Sequence, residues 1–353
     1  MSNKLLYSII VVIALSWLCS SIEAKVVTQS KLEEALGLFP NPPPLQIEVL
    51  ETVPVDSGLR QLIEYVVEEA DTIFDRPLDR VRAYLFIPPH QQGQRLPAMV
   101  AIHQDGPSTH LGKAEPAGLG GAEDQHYGLE LFERGHVVIC PDRYYHAERR
   151  RIPDAADAGS EMMRDLGLWL KWAGQLILSG RTHFGKEVYD LMRAVDVLST
   201  LDSVDSNRIG AIGHSAGGNV MVYFMFMDQR IKLGVSSCGF YELLEDFNDH
   251  DRSFSNSVFA IPGLATIGRS TDYLASIAPR PVLLTRGLHE LSTEEQSQEH
   301  IEKTKNIEAY ARNKYSQLQV SDQLKVIYFD GGHEFPEKVR ITAYEWIDSF
   351  LKQ

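Results

Sequence analysis

The chain is short of cysteine and of positive charge. Its 353 residues include only three cysteines, and no CxxC pair, HExxH helix or spaced acidic calcium loop occurs, so neither a bound metal nor a cofactor is expected. Lys and Arg number 34 against 48 Asp and Glu, a formal charge of -14. That balance argues against a nucleic-acid partner, because phosphate binding needs clustered cations. Long hydrophobic runs are also missing: the longest, residues 5–18, falls short of the roughly 20 residues a spanning helix requires. Apolar residues at 44% and charged residues at 23% are ordinary for a folded protein and exclude disorder.

What is present begins with a leader-like segment. Lys4, the apolar run from Leu5 to Leu18, and small residues at Ser20, Ser21 and Ala24 read as an export signal over residues 1–24. The expected location is therefore secreted or periplasmic, with no membrane span left after cleavage. Cys19 as a lipid-carrying cysteine is a weaker reading, since bulky Leu18 precedes it. Cys140 and Cys238 each close an apolar run (HVVIC and LGVSSC); on separate strands they read as small core hydrophobes rather than as a bridge. The acidic run DFNDHD at 246–251 lacks the glycine and terminal Glu of a calcium loop and reads as a solvated loop.

Residues 25–50 carry one short helix candidate, KLEEALGLF, and then PNPPP, which cannot continue a helix. They read as an arm on a single domain spanning 51–353. Along that domain, apolar strand-like runs (RQLIEYVVEE, VRAYLFIPP, AMVAIH, HVVICPD, RIGAIGHS, IKLGVSSCG, PVLLTRG, LKVIYFDG) alternate with helix-like ones. Val188, Leu191, Met192, Val195 and Leu198 mark one helical face, and Gly217–Met227 is apolar all round, as a helix buried on a sheet must be. The C-terminal helix is expected to turn Tyr344, Ile347, Phe350 and Leu351 inward. Strands apolar on both faces and separated by helices predict an α/β fold, with a mostly parallel central sheet of about eight strands covered on both sides. Two long connections, 144–184 and 240–280, break the rhythm and are expected to hold substrate recognition.

The sharpest chemical signal is Gly213-His214-Ser215-Ala216-Gly217, directly after the strand RIGAIG and directly before the buried helix. A serine on so sharp a turn has its hydroxyl thrust above the sheet edge, and the flanking glycines permit the bend. A serine hydroxyl needs a base and a group to orient that base. His333, in the flexible turn DGGHEF after the last strand, is the expected base, and Glu290, after PVLLTRG, the expected acid. Glu294, Glu295 and Asp330 are rivals for the acid role. The oxyanion donors are expected to be the backbone NH of Ala216 and that of Asp105, with Gln104 as second choice, in the loop after AMVAIH. His103 reads as a structural ring at the strand end.

GKAEPAGLGG, HVVICPDRYYHAERR and GKEVYDLMRAVDVLSTLDSVDSNRIGAIGHSAGG together resemble the dienelactone hydrolase and acetyl xylan esterase-like branch of the α/β-hydrolase superfamily, over nearly all of the chain beyond the leader. The resemblance implies the α/β-hydrolase fold and a carboxylesterase that needs no cofactor. Two departures stand out: the acid candidate is Glu290 where Asp is more usual, and Ser215 stands where dienelactone hydrolases proper use Cys.

Asp190, Arg193 and Asp196, and likewise Asp205 and Arg208, read as structural ion pairs. Arg143, Arg149, Arg150 and Arg151 follow a strand end and read as a solvated loop, with recognition of a substrate carboxylate as the alternative. Trp169 and Trp172 at three-residue spacing read as core, with sugar stacking as the alternative. The function expected is a secreted serine carboxylic-ester hydrolase acting on short acyl esters of a small molecule or carbohydrate. Its alternatives are a serine peptidase of the prolyl oligopeptidase type and a non-catalytic binding protein.

Overall fold

The computed structural model describes residues 27–37, 39–105, 110–150, 158–246, 260–291 and 293–353. The expected leader at 1–24, Arg151, and residues 247–251 of the acidic run lie outside them.

Among the described residues nine strands form one sheet: β1 (Glu48–Val55), β2 (Gly58–Glu68), β3 (Asp79–Ile87), β4 (Leu96–Ile102), β5 (Val137–Pro141), β6 (Val204–His214), β7 (Ile231–Ser237), β8 (Val282–Gly287) and β9 (Leu324–Phe329). Their order is β1-β2-β3-β5-β4-β6-β7-β8-β9. The pairs β1/β2, β2/β3 and β3/β5 are antiparallel, and every pair from β5 through β4 to β9 is parallel. Strand β1 is the addition to the eight expected. Its mostly exposed residues carry no core pattern, so the arm at 25–50 concealed its start.

Helices of seven residues or more are α1 (Gln29–Leu36), α2 (Tyr127–Glu133), α3 (Ala158–Leu178), α4 (His183–Ser199), α5 (Ala216–Met227), α6 (Ser270–Ile277), α7 (Glu294–Gln317) and α8 (Glu337–Leu351). Among the described residues no helix is long and apolar enough to cross a membrane.

The period of two along each strand divides the core between the two faces of the sheet. Ala98, Val100 and Ile102 of β4 and Val137 and Ile139 of β5 join one apolar cluster with α1, α4, α5 and α6. Met99 and Ala101, with Val138 and Cys140, join the other with α2 and α8. Helix α5 is enclosed from Gly217 to Met227; Phe184 of α4 and Tyr273 of α6 both pack against its Tyr223, at ring-centroid distances of 4.8 and 5.2 Å. Helix α8 buries Tyr344, Ile347 and Leu351, with Phe350 half-buried against Trp346.

Helix α7 has little apolar character to announce it. Thr293 caps it by accepting from the Gln296 NH, and Ile301, Thr304, Ile307, Ala311 and Tyr315 bury a single stripe. The first long connection is largely helix α3, not loop. There Trp169 is buried and stacked on Tyr145 (centroids 6.4 Å apart, planes 5° apart), and half-buried Trp172 packs on Tyr144 and Tyr145. Helix α1 belongs to the same core: Leu32 and Leu36 are buried, and Thr182 donates to the Leu36 carbonyl.

The arginines after β5 depart from the solvated-loop expectation. Arg143 is fully buried, 2.8 Å from both Glu187 and Asp105. Arg149 lies buried between Asp190 (2.7 Å) and Asp79 (2.8 Å), and Arg150 is buried beside His110. A guanidinium presents several donors in one plane, so it can satisfy two carboxylates where water is excluded. Lys186 completes this buried network with Glu68, Asp79 and Asp190. Arg193 pairs with Asp196, and Arg208 with Asp205.

Candidate active site

Strand β6 ends at His214 and helix α5 starts at Ala216, which leaves Ser215 alone to turn the chain. It does so at φ 52° and ψ -125°, a backbone region that costs a non-glycine residue of order 1–3 kcal/mol and persists only under strong constraint. The constraint is visible. The Ser215 NH donates to the Ser237 carbonyl (2.8 Å) and its own carbonyl accepts from Asn219 (3.0 Å). A Cβ at Gly213 would sit 2.4 Å from the Gly217 carbonyl oxygen, and one at Gly217 would sit 2.4 and 2.5 Å from the carbonyls of Ile102 and His103. The two glycines thus let the turn close and let β4 press against the start of α5. Ser215 itself is half-buried, and the free amides of the first helical turn lie beside it, a favourable place for negative charge.

His333 lies in the turn between β9 and α8, locked to the end of β8. The NH of Leu288 donates to Phe329 O (3.0 Å) and that of His289 to Gly331 O (2.9 Å). Its Nδ1 is 3.0 Å from Oε2 of Glu290. The carboxylate of Glu290 is buried, accepts from the Gly287 NH (2.7 Å), and takes Nη1 of Arg286 at 3.1 Å. Burial pushes this carboxyl's pKa up, but the Arg286 charge and the His333 bond outweigh it and hold it at about 2. It is therefore a carboxylate at neutral pH, able to fix the imidazole with its proton on Nδ1. The rival acids are engaged elsewhere: Glu294 and Asp330 flank His289 at 3.0 and 3.1 Å, and Glu295 is exposed at the start of α7.

Gln104 and Asp105 follow the end of β4, just past Ile102 and His103, whose carbonyls press on the start of α5. The Asp105 side chain is drawn to Arg143, and Gln104 Nε2 donates to Glu115 (3.1 Å). His103 is fully buried; its Nε2 accepts from the Arg143 NH (2.9 Å), so Nδ1 carries the proton donated to Gln104 O.

Three neighbours escaped the sequence reading. His214 sets its ring 4.9 Å from that of His333 and bonds Ser237 Oγ through Nδ1 (3.0 Å); burial, then the nearby His333, lowers its pKa to about 3, so it is neutral. Arg286 charges the acid site, as above. Cys238, read as a plain core residue, sits at φ 48° just past β7, with its sulfur between the Glu334 carbonyl (3.4 Å) and Glu290. All three stand at the C-terminal ends of β6, β7 and β8, and that shared position is the signal that points to them. Both described cysteines are free.

The chain is similar to known proteins in sequence and in fold. Residues 179–289 match the model of the prolyl oligopeptidase family, a stretch that includes Ser215 but ends before Glu290 and His333. A Bacillus subtilis (strain 168) protein provisionally named as the hydrolase YtaP is 24% identical over 327 residues, 92% of this chain and 98% of that protein. A Bacteroides fragilis NCTC 9343 protein provisionally named as an acetyl xylan esterase superposes with TM-score 0.64 and 18% identity, covering 85% of this chain and 73% of that one. A glucuronoyl esterase from Solibacter usitatus superposes with TM-score 0.59 and 14% identity, covering 95% and 93%. With the sheet order and the strained serine turn, these likenesses show that the chain has the α/β-hydrolase fold.

Proposed function

We propose that the protein is a serine esterase acting through an acyl-enzyme on Ser215. The observation that carries this reading is the strained strand-to-helix turn at Ser215, whose chain neighbour His214 sets its ring 4.9 Å from that of His333, the accessible histidine hydrogen-bonded to the buried Glu290 carboxylate. Ser215 Oγ attacks the ester carbonyl while His333 Nε2 takes its proton, and Glu290 stabilises the imidazolium. The tetrahedral oxyanion is met by the amide of Ala216 and by that of Asp105, with Gln104 the second candidate, each such donor being worth roughly 3–4 kcal/mol. His333 then protonates the departing alcohol, and a water molecule, activated by the same base, releases the acid and restores Ser215.

The substrates are short acyl esters, acetyl above all, carried on a small molecule or a carbohydrate. Structural likeness to proteins named as acetyl xylan and glucuronoyl esterases supports this class. The leader-like residues 1–24 support export, and residues 51–353 serve as the catalytic domain.

Hydrolysis of p-nitrophenyl acetate, butyrate and octanoate, with and without an organophosphonate that labels active serines, tests the reading. Acetate turnover that stops when Ser215 is labelled is the expected result, and an undiminished rate for Ser215→Ala would overturn it. The family match over 179–289 favours a second reading, a serine peptidase; cleavage of prolyl peptide amides faster than acetate esters would select it. Neither turnover nor labelling would select a binding protein that has kept the fold.

A further inference from the structure

We propose that Cys238, Glu290 and His333 together form a binding site for a soft divalent cation of the zinc type, and that filling it switches the esterase off reversibly. The inhibitory half of this inference rests on His333 being the base for Ser215; the binding half does not.

The cysteine sulfur, a carboxylate oxygen of Glu290 and a ring nitrogen of His333 all lie within 4.8 Å of one another. The three residues come from three places brought together only by the fold: the chain just after β7, the turn after β8 and the turn after β9. Four-coordinate zinc with bonds of about 2.0–2.3 Å holds neighbouring ligand atoms about 3.3–3.8 Å apart. One edge is already close, since Glu290 Oε2 and His333 Nδ1 are 3.0 Å apart, and small side-chain adjustments bring in the sulfur. One thiolate, one imidazole and one carboxylate select zinc or cadmium over magnesium or calcium, which take oxygen ligands. The His333 side chain is 42% exposed, which gives the ion a way in, and three protein ligands leave a fourth position for water.

Binding releases protons and transfers no electrons. The sulfur forms its bond to the metal as the S–H proton leaves to water, because a coordinated thiol is deprotonated outright. The Nδ1 proton of His333 leaves to water and one returns at the other ring nitrogen, which frees the Nδ1 lone pair for the metal and puts the single ring proton on Nε2. That is the atom that must accept the Ser215 hydroxyl proton, so the base is lost while the metal stays. Arg286, 3.1 Å from Glu290, opposes a dication, which makes the site one that fills and empties rather than one that holds a permanent structural ion.

The test starts with a zinc titration of acetate-ester hydrolysis in metal-free buffer, followed by a chelator. Loss of activity that the chelator restores is expected. Cys238→Ser, whose hydroxyl can still donate to the Glu334 carbonyl, should raise the half-inhibitory zinc concentration about tenfold or more. Binding is read separately on Ser215→Ala, which needs no catalysis: one ion per chain by calorimetry, and with cadmium a thiolate charge-transfer band that Cys238→Ser removes. Equal zinc sensitivity of Cys238→Ser and the parent chain, or no ion bound by Ser215→Ala, would sink the site. One ion bound through Cys238 in a protein with no ester turnover would uphold the site and overturn the proposed function and the inhibition with it.

Discussion

Oε2 of Glu290 stands 3.0 Å from Nδ1 of His333 across 43 residues of chain. The buried carboxylate makes Nδ1 the proton-bearing nitrogen and leaves Nε2 free to accept.

Replacing Glu290 by Gln keeps the shape but offers an amide that can donate to Nδ1 and so reverse the tautomer. By analogy with the same change in other triads, kcat should fall about 10⁴-fold. Steady-state hydrolysis of p-nitrophenyl acetate by Glu290→Gln checks this, with Glu290→Asp as a milder comparison that keeps the charge and shortens the reach. A near-normal rate in the Gln variant would remove Glu290 from the mechanism.

The same carboxylate ties stability to pH. Its pKa in the folded protein is held at about 2, below its usual 4.5. A depressed carboxyl stabilises the folded state above its unfolded pKa, and that contribution is lost as pH falls through the window from about 5 to about 2. The stability difference between the parent chain and Glu290→Gln should therefore shrink as pH drops across that window. Urea unfolding at a series of pH values measures it, and a difference independent of pH would contradict the assignment.

Arg143 and Glu187 pair with no solvent contact at either side chain. Arg143→Met would leave the Glu187 carboxylate buried without its cation, and removing one partner of a buried pair costs about 3–5 kcal/mol. The thermal midpoint should fall accordingly, and a shift within error would mean that Glu187 finds another partner.

Asp105→Asn keeps the backbone amide but weakens the grip of Arg143 on the loop that carries it. About tenfold of kcat should be lost, a fraction of what removing an oxyanion donor costs, with KM little changed. An effect confined to KM would place Asp105 in ground-state binding instead.

A methyl group at Gly217 would meet two backbone carbonyls. Gly217→Ala should therefore destabilise the protein by about 1–3 kcal/mol and also displace the strand end from the nucleophile. Calorimetry together with phosphonate labelling of Ser215 separates the two effects, and an unperturbed variant would contradict the close approach of β4 and α5.

Legibility tracked local causes. The central strands were readable because each is apolar on both faces, and α5 because it is apolar all round. Strand β1 and helix α7 were not: the first is an exposed edge strand and the second buries only a thin stripe along a polar helix. Arginine misled for a related reason. Four such residues in one stretch look like a wetted loop, whereas Arg143 and Arg149 find their carboxylates on distant elements, at Glu187, Asp190 and Asp79.

The sequence by itself determined the α/β layering and the serine turn, because both follow from near-neighbour patterns: apolar periodicity, and glycines flanking a serine between a strand and a helix. Only the tertiary structure decided which of four nearby carboxylates meets His333, that Arg286 charges it, and that Cys238 and His214 stand beside it. Apart from Arg286, four positions before Glu290, those contacts join residues 43 to more than a hundred positions apart. They exist because the parallel strands β6 to β9 all end on the same edge of one sheet, a geometry that short-range sequence patterns do not encode.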